Sequence, residues 1–289
     1  MQNILIIGWG EIGQALGKIL KSKYQIKHWD KNPKKSTSNT NLKDLVLWAD
    51  IIFLSVPAFA LKEILEKIKS NLKNKTIICL SKGIDLKTKE FPHQILEKYS
   101  ANFGLLYGPM IAEELNKNLY GFAILASKSK KVLNLKNIFN QTKIKVEISK
   151  DLTGVCLAGV LKNIYALGLG MIDALNLGKN FKGYYLTCAL KEISNIVKAF
   201  GAKKETVFLV CGIGDLIATG SSQNSANYMA GFQIAKNKKI IKPSEGLKSL
   251  KGLKPLIKLK NIKAPILETL YNICFQNKPA KNTLENLLN

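Results

Sequence analysis

A single lysine interrupts the most apolar segment of the chain. Residues 152–172 contain one charged side chain, Lys162, and Asn163 follows it directly. Burial disfavours an ammonium ion, so we expect the pKa of Lys162 to fall toward neutral pH, where lysine can exchange a proton. Such a group can take or return the proton on the oxygen of an alcohol or ketone while hydride moves. The alternative is a lysine at the edge of a core helix whose amino group reaches solvent.

A glycine-rich loop near the N-terminus has the spacing of a dinucleotide site. Residues 3–8 form an apolar run that ends in glycine, and residues 8–13 read GWGEIG, a GxGxxG pattern before a predicted helix. The second glycine of such a loop lets the backbone approach a pyrophosphate, and the amides of the helix N-terminus donate to the anion. The residues predicted to bind the cofactor here are Gly8, Trp9, Gly10, Glu11, Ile12 and Gly13.

The acidic residue expected at the cofactor ribose is Asp30, at the end of the second predicted strand. Its carboxylate can accept hydrogen bonds from a ribose diol and repels a 2′-phosphate, which predicts NAD in preference to NADP. Lys31, Lys34 and Lys35 follow it and can partly offset the repulsion, so NADP stays an alternative.

The composition is that of a globular protein. The chain has 289 residues, of which 46% are hydrophobic and 22% charged, and this length allows two domains with separate cores. The N-terminus has no basic region of an export signal and the five cysteines are scattered, which predicts a reduced, cytoplasmic protein. Lys162 and Asn163 interrupt the best candidate for a membrane span, so we expect no stable membrane insertion.

The basic residues do not indicate nucleic-acid binding. The formal charge is +24, but all 44 basic residues are lysines and they are spread through every segment without a clustered stripe. The two histidines, His28 and His93, lack metal-ligand spacing, so neither a metal site nor a histidine-based triad is predicted. A generally positive field favours small anionic substrates and cofactors as partners.

Two hydrophobic periods divide the chain. Apolar runs that alternate with helical patterns predict a parallel sheet with crossover helices. These runs are 3–8, 24–29, 51–56, 76–80, 103–107, 121–126 and 144–148. The later segments, with a period of 3.6 residues, are 151–176, 183–201, 224–236 and 265–288. We predict an α/β protein in which a Rossmann-type NAD-binding domain, residues 1–149, precedes an all-helical catalytic domain, residues 150–289.

With these features in order, the chain resembles the NAD(P)-dependent glycerol-3-phosphate dehydrogenase family. The similar segments are GWGEIG (8–13), SVPAFALKEIL (55–65), SKGI (81–84), YGPMIAEEL (107–115), AGVLKNIYALGLGM (158–171), GIGDLIAT (212–219), NSAN (224–227), SEG (244–246) and PILETLYNI (265–273). The resemblance implies an oxidoreductase that interconverts sn-glycerol 3-phosphate and dihydroxyacetone phosphate, feeding glycerophospholipid synthesis.

The resemblance also implies roles for individual residues. Lys162 would be the catalytic acid/base, and Lys82 would stabilise negative charge between substrate and nicotinamide. Asp215 and Thr219 would hold the substrate hydroxyls and the reactive lysine, which makes Asp215 the third catalytic residue. Substrate binding is assigned to Lys82, Gly108, Met110, Lys162, Asn163, Asp215, Thr219, Ser225 and Asn227. Cofactor binding outside the glycine loop is assigned to Asp30, Pro57, Lys82, Ala112 and Glu245.

The chain departs from the family at the phosphate end of the substrate. Where the family has a phosphate-binding arginine between Ser225 and Asn227, this chain has Ala226. A simple exchange of arginine for lysine would not produce alanine, so the substrate stays open. Another small hydroxy acid or polyol is the rival substrate class, and a non-catalytic NAD-binding protein is a third hypothesis. A homodimer is one assembly that the sequence leaves open.

Overall fold

The computed structural model describes residues 2–37 and 41–288, and its internal contacts divide the chain into two compact units. The first unit contains the chain up to Lys82 together with Phe91–Cys156. The second contains Gly83–Glu90 and the chain from Leu157 onward. The division between the two units falls inside a long helix, after Cys156. The domain boundary between residues 149 and 150 stays a prediction.

The first unit is built on a seven-stranded sheet, which confirms the Rossmann-type fold class. Its strands are β1 (Asn3–Ile7), β2 (Gln25–Trp29), β3 (Ile51–Leu54), β4 (Thr76–Cys79), β5 (Phe103–Tyr107), β6 (Gly121–Ala126) and β7 (Ile144–Ser149). They lie in the order β2-β1-β3-β4-β5-β6-β7. The sequences of β3, β4 and β5 are almost wholly apolar because both faces of these strands are buried.

Short helices connect the strands of this unit. They are α1 (Glu11–Leu20), α2 (Leu42–Trp48), α3 (Ala58–Ile68), α4 (Pro92–Glu97), α5 (Ala112–Asn116) and α6 (Lys130–Leu133). α1 presents Ala15, Leu16 and Leu20 to the core, with polar residues on its other face.

The expectation of an all-parallel sheet is wrong for the last two strands, which run opposite to the other five. β6 runs antiparallel to β5, with Leu105 opposite Ala126 and Tyr107 opposite Ile124, and β7 then pairs parallel with β6. The connection from β5 to β6 contains only the five-residue α5. After this connection, residues 108–120, the chain re-enters the sheet in the opposite direction.

The second unit is helical. Its helices are α7 (Leu152–Ala174, shared with the first unit), α8 (Gly178–Ala199), α9 (Asp215–Gly220), α10 (Ala226–Ala235), α11 (Glu245–Leu259), α12 (Pro265–Phe275) and α13 (Ala280–Glu285). Sequence periodicity missed α9, which is short, and α11, in which lysines and Pro255 obscure the apolar face. The helix predicted over 265–288 is two helices with a break before α13, where Pro279 is the N-cap residue.

α7 is the central helix of the second unit. By length and composition it could cross a membrane, in spite of Lys162 and Asn163, but its most apolar window is entirely buried within the protein. A side chain at Gly168 would meet the Tyr185 hydroxyl at 2.1 Å, and one at Gly170 would meet the Tyr228 carbonyl oxygen at 2.0 Å. α7 is therefore a core helix whose glycines let α8 and α10 approach its backbone.

His93 in α4 is a buried histidine, and the nearby Glu97 carboxylate only partly offsets the effect of burial on its pKa. Only 6% of its surface is exposed, and its Nδ1 has no hydrogen-bond partner among the described residues. Burial lowers the pKa of His93 to about 4, from an ordinary value of 6.5. The folded chain therefore keeps this imidazole neutral at pH values at which the unfolded chain protonates it.

We predict that His93→Gln reduces the loss of stability on acidification. In the wild type, the contribution of His93 is constant above the unfolded pKa of 6.5 and falls as the pH approaches about 4. The difference in pKa corresponds to about 3 kcal/mol of unfolding free energy. Urea unfolding at about pH 7 and about pH 4 measures the loss of unfolding free energy for the wild type and for His93→Gln. His28→Gln, at the less buried histidine, should change the difference less. Equal losses in wild type and His93→Gln would contradict the prediction.

Candidate active site

Close backbone packing shapes the glycine loop after β1. Gly8 has a φ of +97°, and a Cβ there would lie 2.8 Å from the carbonyl of Ser55. A Cβ on Gly13 would lie 2.2 Å from the oxygen of Gly8, so α1 begins directly against the loop. The Ser55 hydroxyl, at the end of β3, donates to the Gly8 oxygen at 2.7 Å. These contacts explain why side chains are excluded at two of the three glycines.

The middle glycine of the loop leaves space for a ligand. Gly10 is the N-cap residue of α1, no side chain caps this helix, and a Cβ built on Gly10 would have no atom within 4 Å. The amides of the first turn and the positive end of the helix dipole suit an anion there. Glu11 in that turn is exposed, whereas Ile12 packs against the core. These residues fit the pyrophosphate of a dinucleotide.

Asp30 is held against this loop. Its Oδ2 accepts a hydrogen bond from the Trp9 amide at 2.8 Å, and its Oδ1 accepts one from the Asn32 amide at 2.9 Å. The Trp9 indole stacks on the His28 ring, with centroids 3.7 Å apart and planes at 11°. Burial lowers the pKa of His28, and the Asp30 carboxylate opposes this shift. The sequence predicted Trp9 and Asp30 in this place but not the supporting roles of His28 and Ser55.

Lys82 lies after β4, beside the end of β5. Its Nζ donates to the Gly108 oxygen at 3.2 Å and lies 5.3 Å from the centre of the Tyr107 ring. The Tyr107 hydroxyl donates in turn to the Ser81 carbonyl. A Cβ on Gly108 would lie 2.3 Å from the oxygen of Phe122, so close strand packing requires glycine there. The structure thus places Lys82 and Gly108 together at the end of the sheet.

Three further predicted residues of the first unit lie at starts of helices or beside them. Pro57 is the exposed N-cap residue of α3. Met110 is half-buried in the connection after β5, and Ala112 is the buried first residue of α5. Nothing in their contacts assigns them a ligand, so their roles stay predictions.

Lys162 forms a buried hydrogen-bonded cluster with Asp215 and Thr219. Its Nζ lies 3.0 Å from Asp215 Oδ1 and 2.6 Å from Thr219 Oγ1, and the Thr219 hydroxyl lies 3.3 Å from Asp215 Oδ1. The exposed fractions of the three residues are 8%, 3% and 8%. The periodicity of the sequence predicted only the apolar neighbours of Lys162, whereas the family resemblance implied Asp215 and Thr219 as its partners. In the structure, a carboxylate stabilises its ammonium and directs the side chain.

An irregular turn delivers Asp215 to this cluster. Val210–Gly214 is a π-helical turn, a type that occurs often at functional sites, and it leads directly into α9. A Cβ on Gly212 would lie 2.1 Å from the Val207 oxygen, so the turn packs against the preceding backbone. Asp215 and Thr219 are one helical turn apart on α9, which brings both oxygens to the same side.

Asn163 and Asn227 meet each other. Asn227 Nδ2 donates to Asn163 Oδ1 at 2.8 Å, while Asn227 Oδ1 accepts from the Ser244 hydroxyl and the Gly246 amide, both at 2.9 Å. Asn227 therefore ties α7, α10 and the start of α11 together. The sequence assigned it to substrate binding and did not identify Ser244, although a serine before a helix is a common N-cap signal.

Ser225 and Glu245 also lie at helix starts. The Ser225 hydroxyl caps α10 by accepting from the Tyr228 amide at 3.3 Å, and Ala226 is the first residue of that helix. Glu245 is the first residue of α11. Burial raises the pKa of Glu245, and Lys248, 3.6 Å away, partly offsets this shift. The roles of Ser225 in substrate binding and Glu245 in cofactor binding stay predictions.

Comparison with known proteins gives a consistent assignment. The family model for the N-terminus of NAD-dependent glycerol-3-phosphate dehydrogenase matches residues 31–133, and the model for its C-terminus matches residues 151–285. A Staphylococcus saprophyticus protein named glycerol-3-phosphate dehydrogenase [NAD(P)+] is 30% identical, with 100% of this chain and 98% of that protein covered. A Thermoanaerobacter protein of the same name is 33% identical, with 90% and 82% covered.

A solved structure is similar over the same length. The crystal structure of glycerol-3-phosphate dehydrogenase from Coxiella burnetii has a TM-score of 0.88 and 25% sequence identity, and the match covers 99% of this chain and 98% of that one. The two family models together span most of the described chain and include the loop with Lys82 and the cluster around Lys162. The chain therefore belongs to the NAD-dependent glycerol-3-phosphate dehydrogenase family.

Proposed function

We propose that this protein interconverts sn-glycerol 3-phosphate and dihydroxyacetone phosphate with NAD(H), and so supplies glycerol 3-phosphate for glycerophospholipid synthesis. The observation that carries the proposal is the buried cluster of Lys162, Asp215 and Thr219. A non-catalytic NAD-binding protein would not need a lysine held in an apolar core by a carboxylate. The family name and the names of the relatives support the same reaction.

Lys162 acts as the acid/base at the C2 oxygen of the substrate. In reduction of the ketone its ammonium donates a proton to that oxygen, and in oxidation of the alcohol the neutral amine takes the proton back. Asp215 and Thr219 fix the amino group by accepting two of its three possible hydrogen bonds. Because these partners are themselves buried, the group needs little reorganisation when the proton moves.

The first unit binds the cofactor and supplies a second cation. The amides at the start of α1 bind the pyrophosphate, and Asp30 accepts from the ribose hydroxyls. When bound, the nicotinamide carries the hydride that leaves or enters C2. Lys82 stabilises negative charge on the substrate, and its bond to the Gly108 oxygen directs its amino group. Met110, Asn163 and Asn227 line the substrate in this proposal, and Pro57, Ala112 and Glu245 contact the cofactor.

We predict that Lys162→Met lowers kcat by about 10²–10⁴-fold, the usual contribution of a positioned acid/base. Affinity for NADH should stay within about twofold, because the glycine loop belongs to the other unit. Steady-state assays and NADH fluorescence titration measure the two quantities.

The control is a double variant, because Lys162→Met alone removes the cation beside the buried Asp215 carboxylate and so destabilises the folded protein. In Lys162→Met/Asp215→Asn the buried charge is removed and the activity should remain low. Turnover near the wild-type rate in either variant would make Lys162 a structural lysine.

The proposed cofactor is NAD in preference to NADP. Asp30 is oriented by the Trp9 and Asn32 amides, and its charge opposes a 2′-phosphate. Lys31, Lys34 and Lys35 are exposed and offset this charge only through solvent.

We predict a higher kcat/KM for NADH than for NADPH, measured at one salt concentration. Asp30→Asn should reduce the ratio by about fivefold, which corresponds to about 1 kcal/mol. Asp44→Asn, an exposed change of the same kind in α2, should leave it unchanged. A wild-type preference for NADPH would show that the lysines dominate.

The protein residues assigned to the phosphate end of the substrate should bind a phosphate only weakly. Ala226 offers no charge at the start of α10, and the Ser225 hydroxyl already caps that helix. Arginine presents a planar donor fork to phosphate, and this chain contains none. This observation supports the second candidate, a related dehydrogenase that acts on another small hydroxy acid or polyol.

We predict that Ala226→Arg raises kcat/KM for dihydroxyacetone phosphate by about tenfold or more. A charge-assisted hydrogen bond contributes about 1.5–3 kcal/mol, and the new guanidinium lies at the start of α10. Unphosphorylated dihydroxyacetone should gain nothing, and Ala226→Met should give no gain on either substrate. Lower activity of Ala226→Arg on the phosphate ester would indicate that a lysine already occupies this volume, with Lys236, Lys238 and Lys239 as sources. If neither wild type nor variant reduces the ester, the second candidate replaces the first.

We also propose a cytoplasmic location and a small phosphorylated molecule as the principal partner. The scattered free cysteines and the burial of α7 support a reduced, soluble enzyme.

A further inference from the structure

The loop between α10 and α11 is strongly basic. Residues 236–242 read KNKKIIK, so four of these seven residues are lysines, whereas the whole chain has 44 lysines among 289 residues. No acidic residue lies between Asp215 and Glu245 in the sequence, and Glu245 Oε1 already lies 3.6 Å from Lys248 Nζ. The positive charge of the loop is therefore not balanced by its neighbours along the chain.

α10 holds the backbone of this loop while its side chains face solvent. Residues 236–243 are all exposed. Gln233 Oε1 accepts a hydrogen bond from the Ile241 amide at 3.2 Å, and the Lys238 amide donates to the Gln233 carbonyl oxygen at 2.8 Å. Because Gln233 is a buried residue of α10, the two bonds attach the loop to the body of the second unit.

Ile241 is the most exposed large apolar side chain among the described residues. Its exposed fraction is 81%, and that of its neighbour Ile240 is 36%. An apolar side chain gains free energy when it leaves water, and the loop itself does not provide that burial for Ile241. Lys239 and Lys242 lie on either side of the two isoleucines in the sequence. Cations and an apolar group are therefore presented together.

The helix that follows the loop adds to the positive potential. The buried side of α11 includes Leu250, Leu253 and Ile257, whereas Lys251 and Lys258 are exposed. These two lysines are seven residues apart, which is two helical turns, so they lie on the same outer face. Together with the formal charge of +24 on the chain, they attract a negatively charged surface toward this unit.

The loop fits one class of partner better than the others. Nucleic-acid surfaces use aromatic side chains for base stacking and arginine for phosphate, and residues 236–259 contain neither. A small soluble anion would neutralise a lysine but would leave Ile241 in water. A bilayer that contains anionic lipids has negative headgroups at its surface and acyl chains directly beneath them, which suits lysines around an exposed isoleucine.

We propose that the second unit binds the surface of an anionic phospholipid bilayer through the loop of residues 236–243. The four lysines of the loop contact the headgroups, and Ile241 enters the boundary between the headgroups and the acyl chains. Binding is peripheral and reversible, because a basic patch with one apolar side chain anchors a protein far less firmly than a membrane-spanning helix. The contact involves neither substrate nor cofactor, so it does not depend on the proposed reaction.

The experiment measures binding of the full chain to lipid vesicles by cosedimentation. One set of vesicles is equimolar phosphatidylglycerol and phosphatidylcholine, and the other is phosphatidylcholine alone. We expect binding to the anionic vesicles only, and weaker binding as the salt concentration rises from about 0.05 M to about 0.5 M. The readout requires no turnover, so its failure is distinct from failure of the proposed reaction.

Two variants test the two parts of the loop. Ile241→Asn should lower the partition coefficient by about tenfold without changing its salt dependence, because it removes an apolar contact. Lys238→Gln/Lys239→Gln should lower it by about tenfold or more and reduce the salt dependence. The matched controls are Leu47→Asn, at a side chain of α2 that is 58% exposed, and Lys130→Gln/Lys131→Gln in α6. Both controls should stay within about twofold of the wild type, since they lie far from the loop in sequence and keep its charges.

A label at position 241 tests insertion directly. Ile241→Cys that carries a nitrobenzoxadiazole group should shift its emission to the blue when anionic vesicles are added, whereas labelled Leu47→Cys should not. The wild type reports background labelling of the native cysteines.

Several results would overturn the proposal. These are no binding to anionic vesicles, equal effects of the loop variants and their controls, binding unaffected by Ile241→Asn, and equal blue shifts at the two labelled positions. Polyuridylate serves as a competing polyanion. If Ile241→Asn weakens its binding as much as that of the vesicles, the loop contacts nucleic acid and the proposal fails.

Discussion

The buried pair of Lys162 and Asp215 is the constraint on which the second unit depends. An ammonium inside an apolar helix bundle requires an opposite charge within hydrogen-bond distance, and Asp215 supplies it at 3.0 Å. To reach this position, the chain forms the π-helical turn before α9 and packs it against the Val207 backbone. The same ion pair also orients the amino group that we propose as the acid/base.

The first unit depends on backbone contacts instead. β1, the start of α1 and the end of β3 approach so closely that Gly8 and Gly13 have no room for a side chain. This packing leaves the helix N-terminus at Gly10 open, and Asp30 is attached to the loop through the Trp9 amide. A site for a dinucleotide therefore results from tight packing on one side of the loop and open space on the other.

The residues that we propose for proton transfer match the sequence pattern of the family, whereas Ala226 at the proposed phosphate end does not. Ala226 begins α10 where the family sequence pattern has arginine, while Ser225 and Asn227 on either side contribute to helix capping and to the links among α7, α10 and α11. Because these two residues stabilise the helices around Lys162, their presence does not depend on a phosphate.

Local patterns in the sequence determined the glycine loop, Asp30, the seven strands, the burial of Lys162 and the family. Each follows from spacing or periodicity within a few residues, and such patterns act before the chain is folded. The tertiary structure alone decided the antiparallel direction of β6 relative to β5 and the use of Asn227 as a link between helices. These depend on residues distant in sequence, such as Asn163 and Gly246, whose meeting is set by the packing of whole elements and by the need to pair every buried polar group.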